Sequence, residues 1–342
     1  MSPPLISVVV PTHNRADQIE RCLRALLRQT YTPFEVIVVD DGSVDETPRV
    51  LTRFAKEHPE LALTLLRNDP QRGANASRNR GIAAARGGLV AFEDDDCEAD
   101  PNWLEGLARG FGSERVGAVT GAVRDPAPKN IYDLAFGGTH NVYGKKRDGV
   151  LHATRLVGGN VCVRRELLVG KLDEDRAAVS GDASVSGRGD EEDLYLKLKA
   201  EGYEVRLAPD AGVLHVHYYT RRSFFRQAYR GGGSAARLGY KYHLPLRPEL
   251  MCLAAGYAFA AGSLVNPLLI VPSAGCFGAF GAATLVYNEI WRKKKTPAQA
   301  LLVAPVMTAY YHVRTAGYLR QMARLHLGID RIERVRLHPA VS

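Results

Sequence analysis

Cysteine is scarce in this chain of 342 residues. Five occur (Cys22, Cys97, Cys162, Cys252 and Cys276), scattered and without a CxxC pair. That argues against a zinc site and a disulfide framework and points to a reducing compartment. Acid is also short, with 37 Asp and Glu against 45 Lys and Arg and a net charge of +8. A balance of this sign suits anionic partners: nucleic acid, nucleotides or an anionic membrane surface. Charge of either sign is missing from Leu250 to Asn288. The opening stretch, Met1 to Pro11, has no basic n-region and is cut short by Pro11, so it reads as a first strand rather than a signal peptide. What is present suffices for a core. Hydrophobic residues make up 46% and charged residues 24%, which excludes global disorder. The length suits two or three domains, or one large domain with an appendage.

Strand and helix patterns alternate through the first half. Ile6–Val10, Phe34–Val39, Leu61–Arg67 and Leu89–Phe92 are apolar, β-branched runs of the kind buried on both faces of a sheet. Between them, Asp17–Arg28 places Ile19, Leu23, Leu26 and Leu27 on one helical face, Asp45-Glu46-Thr47-Pro48 opens a second helix, and Ala74–Ala85 is a third. A helix starts near Trp103, and Val116–Val123, Leu156–Val163 and Tyr203–Leu207 read as further strands. Residues 124–155 read as a loop, and the Ser/Gly-rich stretch 178–189 as another. The acids of residues 190–193 lead into a helix over 194–200. This alternation predicts a Rossmann-like, mostly parallel sheet with helices on both faces.

In such sheets ligands bind beyond the carboxyl ends of the strands. Pro11, Asp40-Asp41 and Glu93-Asp94-Asp95-Asp96 all fall there. An isolated acidic run is normally solvated surface. Three polar clusters converging on one edge instead point to a cation site, and oxygen-rich sites suit Mg²⁺, Mn²⁺ or Ca²⁺. Two further features bear on chemistry. Acids at the head of a helix either cap it or offer a general base. His215 and His217, two residues apart on a strand, face the same way and can share a metal.

Seven motifs occur in order: Pro11-Thr12-His13-Asn14-Arg15, Val38-Val39-Asp40-Asp41-Gly42-Ser43, Arg78-Asn79-Arg80-Gly81, Phe92-Glu93-Asp94-Asp95-Asp96, Gly158-Gly159-Asn160, Gly170-Lys171-Leu172-Asp173-Glu174 and Asp190-Glu191-Glu192-Asp193-Leu194. Over residues 5–230 the chain resembles the inverting family 2 glycosyltransferases of the GT-A fold. The resemblance implies transfer of a sugar from a nucleotide diphosphate sugar, UDP-linked, with a divalent metal (Mn²⁺ or Mg²⁺). It implies that Pro11, Thr12, Asn14, Arg15, Asp40, Asp41, Arg78, Asp94 and Asp95 form the donor site. Within that site Asp40 meets the base, Asp41 supports the turn and Arg78 meets the diphosphate. Asp94, Asp96 and His217, with His215 as the alternative, hold the metal. The family's base lies in a Glu-Asp pair before a helix. Here the order is inverted, and Glu191 is assigned as base with Asp190 as the alternative. Gln227-Ala228-Tyr229-Arg230-Gly231 is similar to the Gln-x-x-Arg-Trp run of processive polysaccharide synthases, but Gly231 replaces the Trp, which speaks against processive synthesis.

A catalytic domain is thus expected over 1–230 and a membrane-associated helical region over 231–342. Pro267 and Pro272 split the uncharged run into Met251–Val265 and Leu268–Ile290, each near the roughly 20 residues of a span. Basic flanks at Arg237, Lys241 and Arg247 before it and Arg292-Lys293-Lys294-Lys295 after it predict a hairpin with both ends cytoplasmic. Ala298–Val313 reads as interfacial, and the basic tail from Arg314 suits anionic lipid. The competing reading is a soluble helical subdomain. The expected protein is therefore a membrane-associated enzyme of the inner membrane with its catalytic domain in the cytoplasm. Its expected partners are a nucleotide sugar and a lipid-linked or cell-envelope glycan, not nucleic acid. The alternatives are a nucleotidyltransferase-like sugar-nucleotide enzyme and a non-catalytic glycan-assembly subunit. Pro11–Arg15 lacks the Gly-rich basic loop of the first, and the intact acids argue against the second.

Overall fold

The computed structural model describes residues 3–138, 144–147, 149–168, 172, 190–244, 248–282, 295–330 and 332. Two compact units are present. The first comprises the described residues within 1–126 and 140–217, and the second those within 127–139 and 218–336. The division thus falls before Tyr218 rather than at 230.

The first unit is one ten-stranded sheet. Its leading half is parallel: β3 (Leu63–Arg67), β2 (Phe34–Asp40), β1 (Ile6–Thr12) and β4 (Leu89–Glu93) lie side by side. Next to β4 runs antiparallel β9 (Asn160–Arg164), then β6 (Val116–Arg124), β10 (Glu204–His215), β8 (Val150–Ala153) and β7 (Gly144–Arg147). The sheet is therefore mixed: its first half is parallel throughout, and in the second half β6 and β10 also run parallel while the other neighbours are antiparallel. Alternation along the strands feeds two cores. Val8, Val10, Val36 and Val38 meet α1 (Ala16–Leu26), α2 (Thr47–Glu57) and α4 (Trp103–Arg109) on one face. Val9, Ile37, Val39 and Val90 meet α3 (Ala74–Ala84) and α6 (Asp190–Ala200) on the other. Each such side chain fully buried contributes about 1.5–3 kcal/mol.

Several boundaries move from those expected. Within 124–155 the chain forms α5 (Ile131–Phe136) and the β7–β8 hairpin. Asn130 caps α5 by accepting from the backbone N–H groups of Tyr132 and Asp133. The strand expected from Leu156 begins at Asn160, because Leu156–Gly159 are spent on the approach turn. The strand expected over 203–207 runs on to His215, with a register shift between Ala208 and Gly212. A short strand, β5 (Cys97–Ala99), pairs antiparallel with β10 and was not foreseen. The motif at 170–174, Leu172 apart, and the stretch 178–189 lie outside the described residues.

Glu35 ties β1, β2 and the entry to β4 together. It is 2% exposed and accepts from Ser7 Oγ (2.7 Å), Arg86 N (2.8 Å) and Arg86 Nε (2.8 Å). Burial alone would raise its carboxyl, but these donors and the guanidinium outweigh it and hold it below the usual glutamate range. A folded-state value below the unfolded one stabilises the protein above the unfolded pKa, and this contribution is lost as pH falls through the lowered value. Glu35→Gln is expected to cost about 1–3 kcal/mol at neutral pH. It should also flatten the acid limb of stability, as read by urea melts at several pH values.

The second unit packs α5 with α7 (Arg221–Tyr242), α8 (Pro248–Gly262), α9 (Ile270–Ala282) and α10 (Pro297–His326) around Phe136, Phe224, Leu253, Phe280, Met307 and Tyr310. Capping boxes at Thr220 with Ser223 and at Thr296 with Gln299 set the starts of α7 and α10. The glycines after Arg230 allow α7 and α10 to touch backbone to backbone. A Cβ at Gly232 would lie 1.9 Å from Arg314 O, and one at Gly317 would lie 2.0 Å from Tyr229 O. A bulky residue has no room at this crossing.

No helix among the described residues is long and apolar enough to cross a membrane. The expected hairpin is helical, but α8 has 15 residues and α9 has 13, short of the roughly 20 a span needs. The chain breaks between them at Asn266-Pro267, where proline's fixed ring and missing N–H end helical hydrogen bonding. Residues 283–290 of the expected second arm lie outside the described residues. The run expected to be interfacial, 298–313, is the front half of α10.

Candidate functional site

Parallel register brings the carboxyl ends of β1, β2 and β4 to one edge. Thr12 lies opposite Asp40, and Asp40 lies opposite Arg67 at the end of β3. The turn after β1 is built by Asn14, which takes a left-handed conformation (φ 53°) that asparagine tolerates. Its amide N–H donates to Ser43 Oγ (2.9 Å), its Oδ1 accepts from Val44 N (2.9 Å), and Arg15 N donates to Thr47 Oγ1 (2.9 Å). Asn14 therefore ties the turns after β1 and β2 together through its own polar groups. Pro11 is half-buried at the strand end beside it.

Asp40 and Asp41 divide two tasks. Asp40, 3% exposed, accepts from Ser43 N (3.0 Å) and from the Arg67 guanidinium, which also donates to Ser43 O (2.9 Å). Asp41 accepts from Asn68 Nδ2 (2.7 Å), Arg72 N (3.0 Å) and Gly73 N (2.7 Å), so it shapes the loop that launches α3. Gly73 sits there at φ 96°, a conformation side-chain-bearing residues avoid. Arg67 escaped the sequence reading. Its signal was its place at the end of β3, in register with Asp40.

Along α3, Arg78 turns inward, its side chain 12% exposed, and Nη2 donates to Asp94 Oδ1 at 2.8 Å. Arg78 therefore engages a carboxylate of the row where the sequence reading expected the diphosphate. Asp95 accepts from Thr12 Oγ1 (2.7 Å). Burial and the adjacent Asp96 push its carboxyl up, against the pull of Arg15 and Thr12. Asp96 shifts the other way. Burial would raise it, but the His217 hydrogen bond and the His215 and Arg15 charges hold it well below the carboxylate range. Its Oδ2 lies 3.4 Å from both His217 Nδ1 and Arg15 Nη1, and its Oδ1 lies 3.5 Å from His215 Nε2. His215 Nδ1 lies 3.9 Å from Asp125 Oδ1. Burial lowers His215, yet Asp125 and Asp96 raise it further. The β5–β10 ladder makes this cluster: Cys97 pairs with His215, and Val216 N donates to Asp96 O (2.7 Å).

One carboxylate with two imidazoles beside it is a donor set that suits a first-row divalent cation. Asp94, Asp96, His215 and His217 are the residues that fit such an ion. Among the described residues, no three His, Cys, Asp or Glu side chains are already drawn close enough to hold one. Arg15 and Arg78 neutralise the row instead.

Gly158-Gly159-Asn160 backs the row. A Cβ at Gly159 would lie 2.7 Å from Asp94 Oδ2. One at Gly158 would lie 3.8 Å from Arg78 Nη2 and 3.9 Å from Glu191 Oε2. Asn160 is fully buried and pins the turn. Its Oδ1 accepts from Trp103 Nε1 (2.8 Å), and its Nδ2 donates to Ala122 O (2.9 Å) and Ala211 O (3.0 Å). Gly159→Ala is expected to displace Asp94 and lower turnover about 10²-fold while the melting temperature stays nearly unchanged, as checked by steady-state kinetics and thermal melts.

Asp190 and Glu191 open α6. Asp190 is buried, and Glu191 is half-buried. Burial and then Asp190 raise the Glu191 carboxyl, with Arg78 pulling against them. Asp193 is engaged elsewhere, at 2.8 Å from Lys197 Nζ.

Residues 7–153 match the family model described as "Glycosyl transferase family 2". The chain is 39% identical over 104 residues to glycosyltransferase AglE of Haloferax volcanii, covering 30% of this chain and 34% of that one. It is 37% identical over 95 residues to the GalNAc(5)-diNAcBac-PP-undecaprenol beta-1,3-glucosyltransferase of Campylobacter jejuni, covering 28% and 30%. The chain thus spans about a third of the length of these curated relatives. In fold it is similar to the mannosyltransferase PcManGT from Pyrobaculum calidifontis, solved with GDP-Man and Mn²⁺. The TM-score is 0.58 at 23% identity, over 93% of this chain and 88% of that one. Residues 7–153 thus match the model of the family 2 glycosyltransferases, and the fold is GT-A-like.

Proposed function

We propose that this chain is an inverting glycosyltransferase. It moves a sugar from a nucleotide diphosphate sugar, UDP-linked, to a hydroxyl of a lipid-linked or cell-envelope glycan at the cytoplasmic face of the inner membrane. The observation that carries the reading is the backbone of Gly158-Gly159, which borders Asp94, Arg78 and Glu191 alike, with Arg78 donating to Asp94. Donor-side carboxylates and a candidate base thus border one point. The undecaprenol-linked substrate in the name of the Campylobacter relative supports a lipid-linked acceptor.

Each residue then has a part. Asp40 and Arg67 set an acceptor beside a donor, a pair that suits the edge of a pyrimidine base. Asp94, Asp96 and His217, with His215, would hold Mn²⁺ or Mg²⁺, which when bound neutralises charge on the departing diphosphate. Arg15 and Arg78 add fixed positive charge on the same side. Glu191 takes the proton of the acceptor hydroxyl as that oxygen attacks the anomeric carbon from the face opposite the leaving group. Asp190 keeps the Glu191 carboxyl basic.

The test incubates the full chain with a panel of nucleotide sugars, with and without Mn²⁺ or Mg²⁺. It follows nucleoside diphosphate release and thermal shift, and NMR reads the anomeric configuration of any product. Metal-dependent turnover with inversion is expected. Retention of configuration, or neither binding nor turnover with any donor, would sink the reading.

A further inference from the structure

The turn between α8 and α9 carries the three most exposed large apolar side chains among the described residues of the second unit, and the start of α9 adds to them. Leu264 is 90% exposed, Val265 91%, Leu268 77% and Val271 71%, with Ile270 beside them. Behind this tip the hairpin is well packed. Ser273 Oγ donates to Gly256 O (2.9 Å), and the Tyr257 and Phe277 rings meet edge to face at 5.5 Å. Phe280 reaches the core against Tyr311. The tip is therefore a firm support presenting apolar side chains outward, where water would normally select polar ones.

Charge is distributed in a matching way. Residues 127–139 and 218–336 together contain eighteen Lys and Arg against five Asp and Glu, so the remainder of the chain is acidic on balance. No charged residue lies on the hairpin from Met251 to Ala282. A basic body with an uncharged apolar tip carries the two signals that stable peripheral membrane binding needs: buried apolar area and attraction to anionic headgroups. A second copy of the chain would bring a second unit of the same positive sign behind its tip, which disfavours self-pairing.

We propose that the α8–α9 tip inserts into the interfacial layer of an anionic bilayer, wedging Leu264, Val265, Leu268 and Val271 among the lipids without crossing. The described arms, of 15 and 13 residues, are shorter than a span and long enough for this. The inference does not depend on which sugar moves, and its test reads lipid binding alone.

The full chain is sedimented with vesicles of phosphatidylcholine alone or with about 30% phosphatidylglycerol. Binding to the anionic vesicles is expected to be at least about tenfold tighter than to neutral ones and to weaken in about 0.5 M NaCl. The combined variant Leu264→Ser, Val265→Ser, Leu268→Ser, Val271→Ser is expected to bind anionic vesicles at least about tenfold more weakly at an unchanged melting temperature, since all four side chains already face outward. In Leu264→Trp, vesicles should shift the indole emission to the blue, and brominated lipid should quench it. Unchanged vesicle binding by the combined variant, or Leu264→Trp emission insensitive to brominated lipid, would overturn the proposal. So would a wild-type dimer that ignores vesicles and dissociates on the same four substitutions, which would assign the face to a second copy.

Discussion

Asp96→Ala is expected to lower sugar-transfer turnover by at least about 10³-fold, the largest effect of any single change in the site. Asp96 is the one carboxylate of the row approached by three cationic or imidazole groups, Arg15, His215 and His217. Removing it takes that anion from all three, with Asp125 still beside His215. A modest loss of melting temperature is therefore expected in the free protein. The decisive readout separates site from scaffold. In the wild type, UDP with Mn²⁺ should raise the melting temperature, because a ligand held only by the native state stabilises it by mass action. In Asp96→Ala that rise should vanish. Asp95→Asn is the internal comparison. Its carboxyl is engaged by Thr12, and a change there is expected to cost about tenfold or less, mostly in donor KM. Equal losses at the two positions would show that the row acts as a diffuse field rather than through Asp96.

Glu191→Gln is expected to lower kcat by about 10²–10⁴-fold with little change in donor affinity, the pattern of an interaction made only as the proton moves. Asp190→Asn is expected to lower kcat less and to move the pH profile. Burial and Asp190 raise the Glu191 carboxyl, so the base is protonated, and idle, over a wider acid range than an ordinary glutamate. Activity should rise with pH through that raised value. Removing the Asp190 charge should shift the rise to lower pH. A profile shifted by Glu191→Gln but not by Asp190→Asn would break the coupling between them. A larger kcat loss in Asp190→Asn than in Glu191→Gln would reverse the assignment of base and neighbour.

Much of the fold was legible locally. Val8, Val9 and Val10, and Val36 to Val39, are apolar on both faces, which signals strands buried from both sides, and helical spacing over Ile19, Leu23 and Leu26 marked α1. Elements held together by distant partners were harder to read. Strand β5 is three residues long inside an acidic turn, and only its ladder with β10 makes it a strand. Asn160 reads as one polar residue of a motif, yet four of its hydrogen bonds come from β6, β10 and α4. The uncharged run after Leu250 was legible as helical and apolar. Among the described residues it makes no span, because Asn266-Pro267 interrupts it and the described arms have 15 and 13 residues.

The amino-acid sequence by itself determined that Asp40, Asp41 and Asp94–Asp96 stand at strand ends, since a strand buried on both faces must place its polar residues where it leaves the sheet. It also placed Asp190 and Glu191 at the head of a helix. Only the tertiary structure decided how these groups divide the work. Parallel register set Arg67 against Asp40, the β5–β10 ladder brought His215 and His217 to Asp96, and the bare backbone of Gly158-Gly159 let Arg78, Asp94 and Glu191 close on one point. Side chains meet through neighbours far away in the chain, and local pattern carries no record of those meetings.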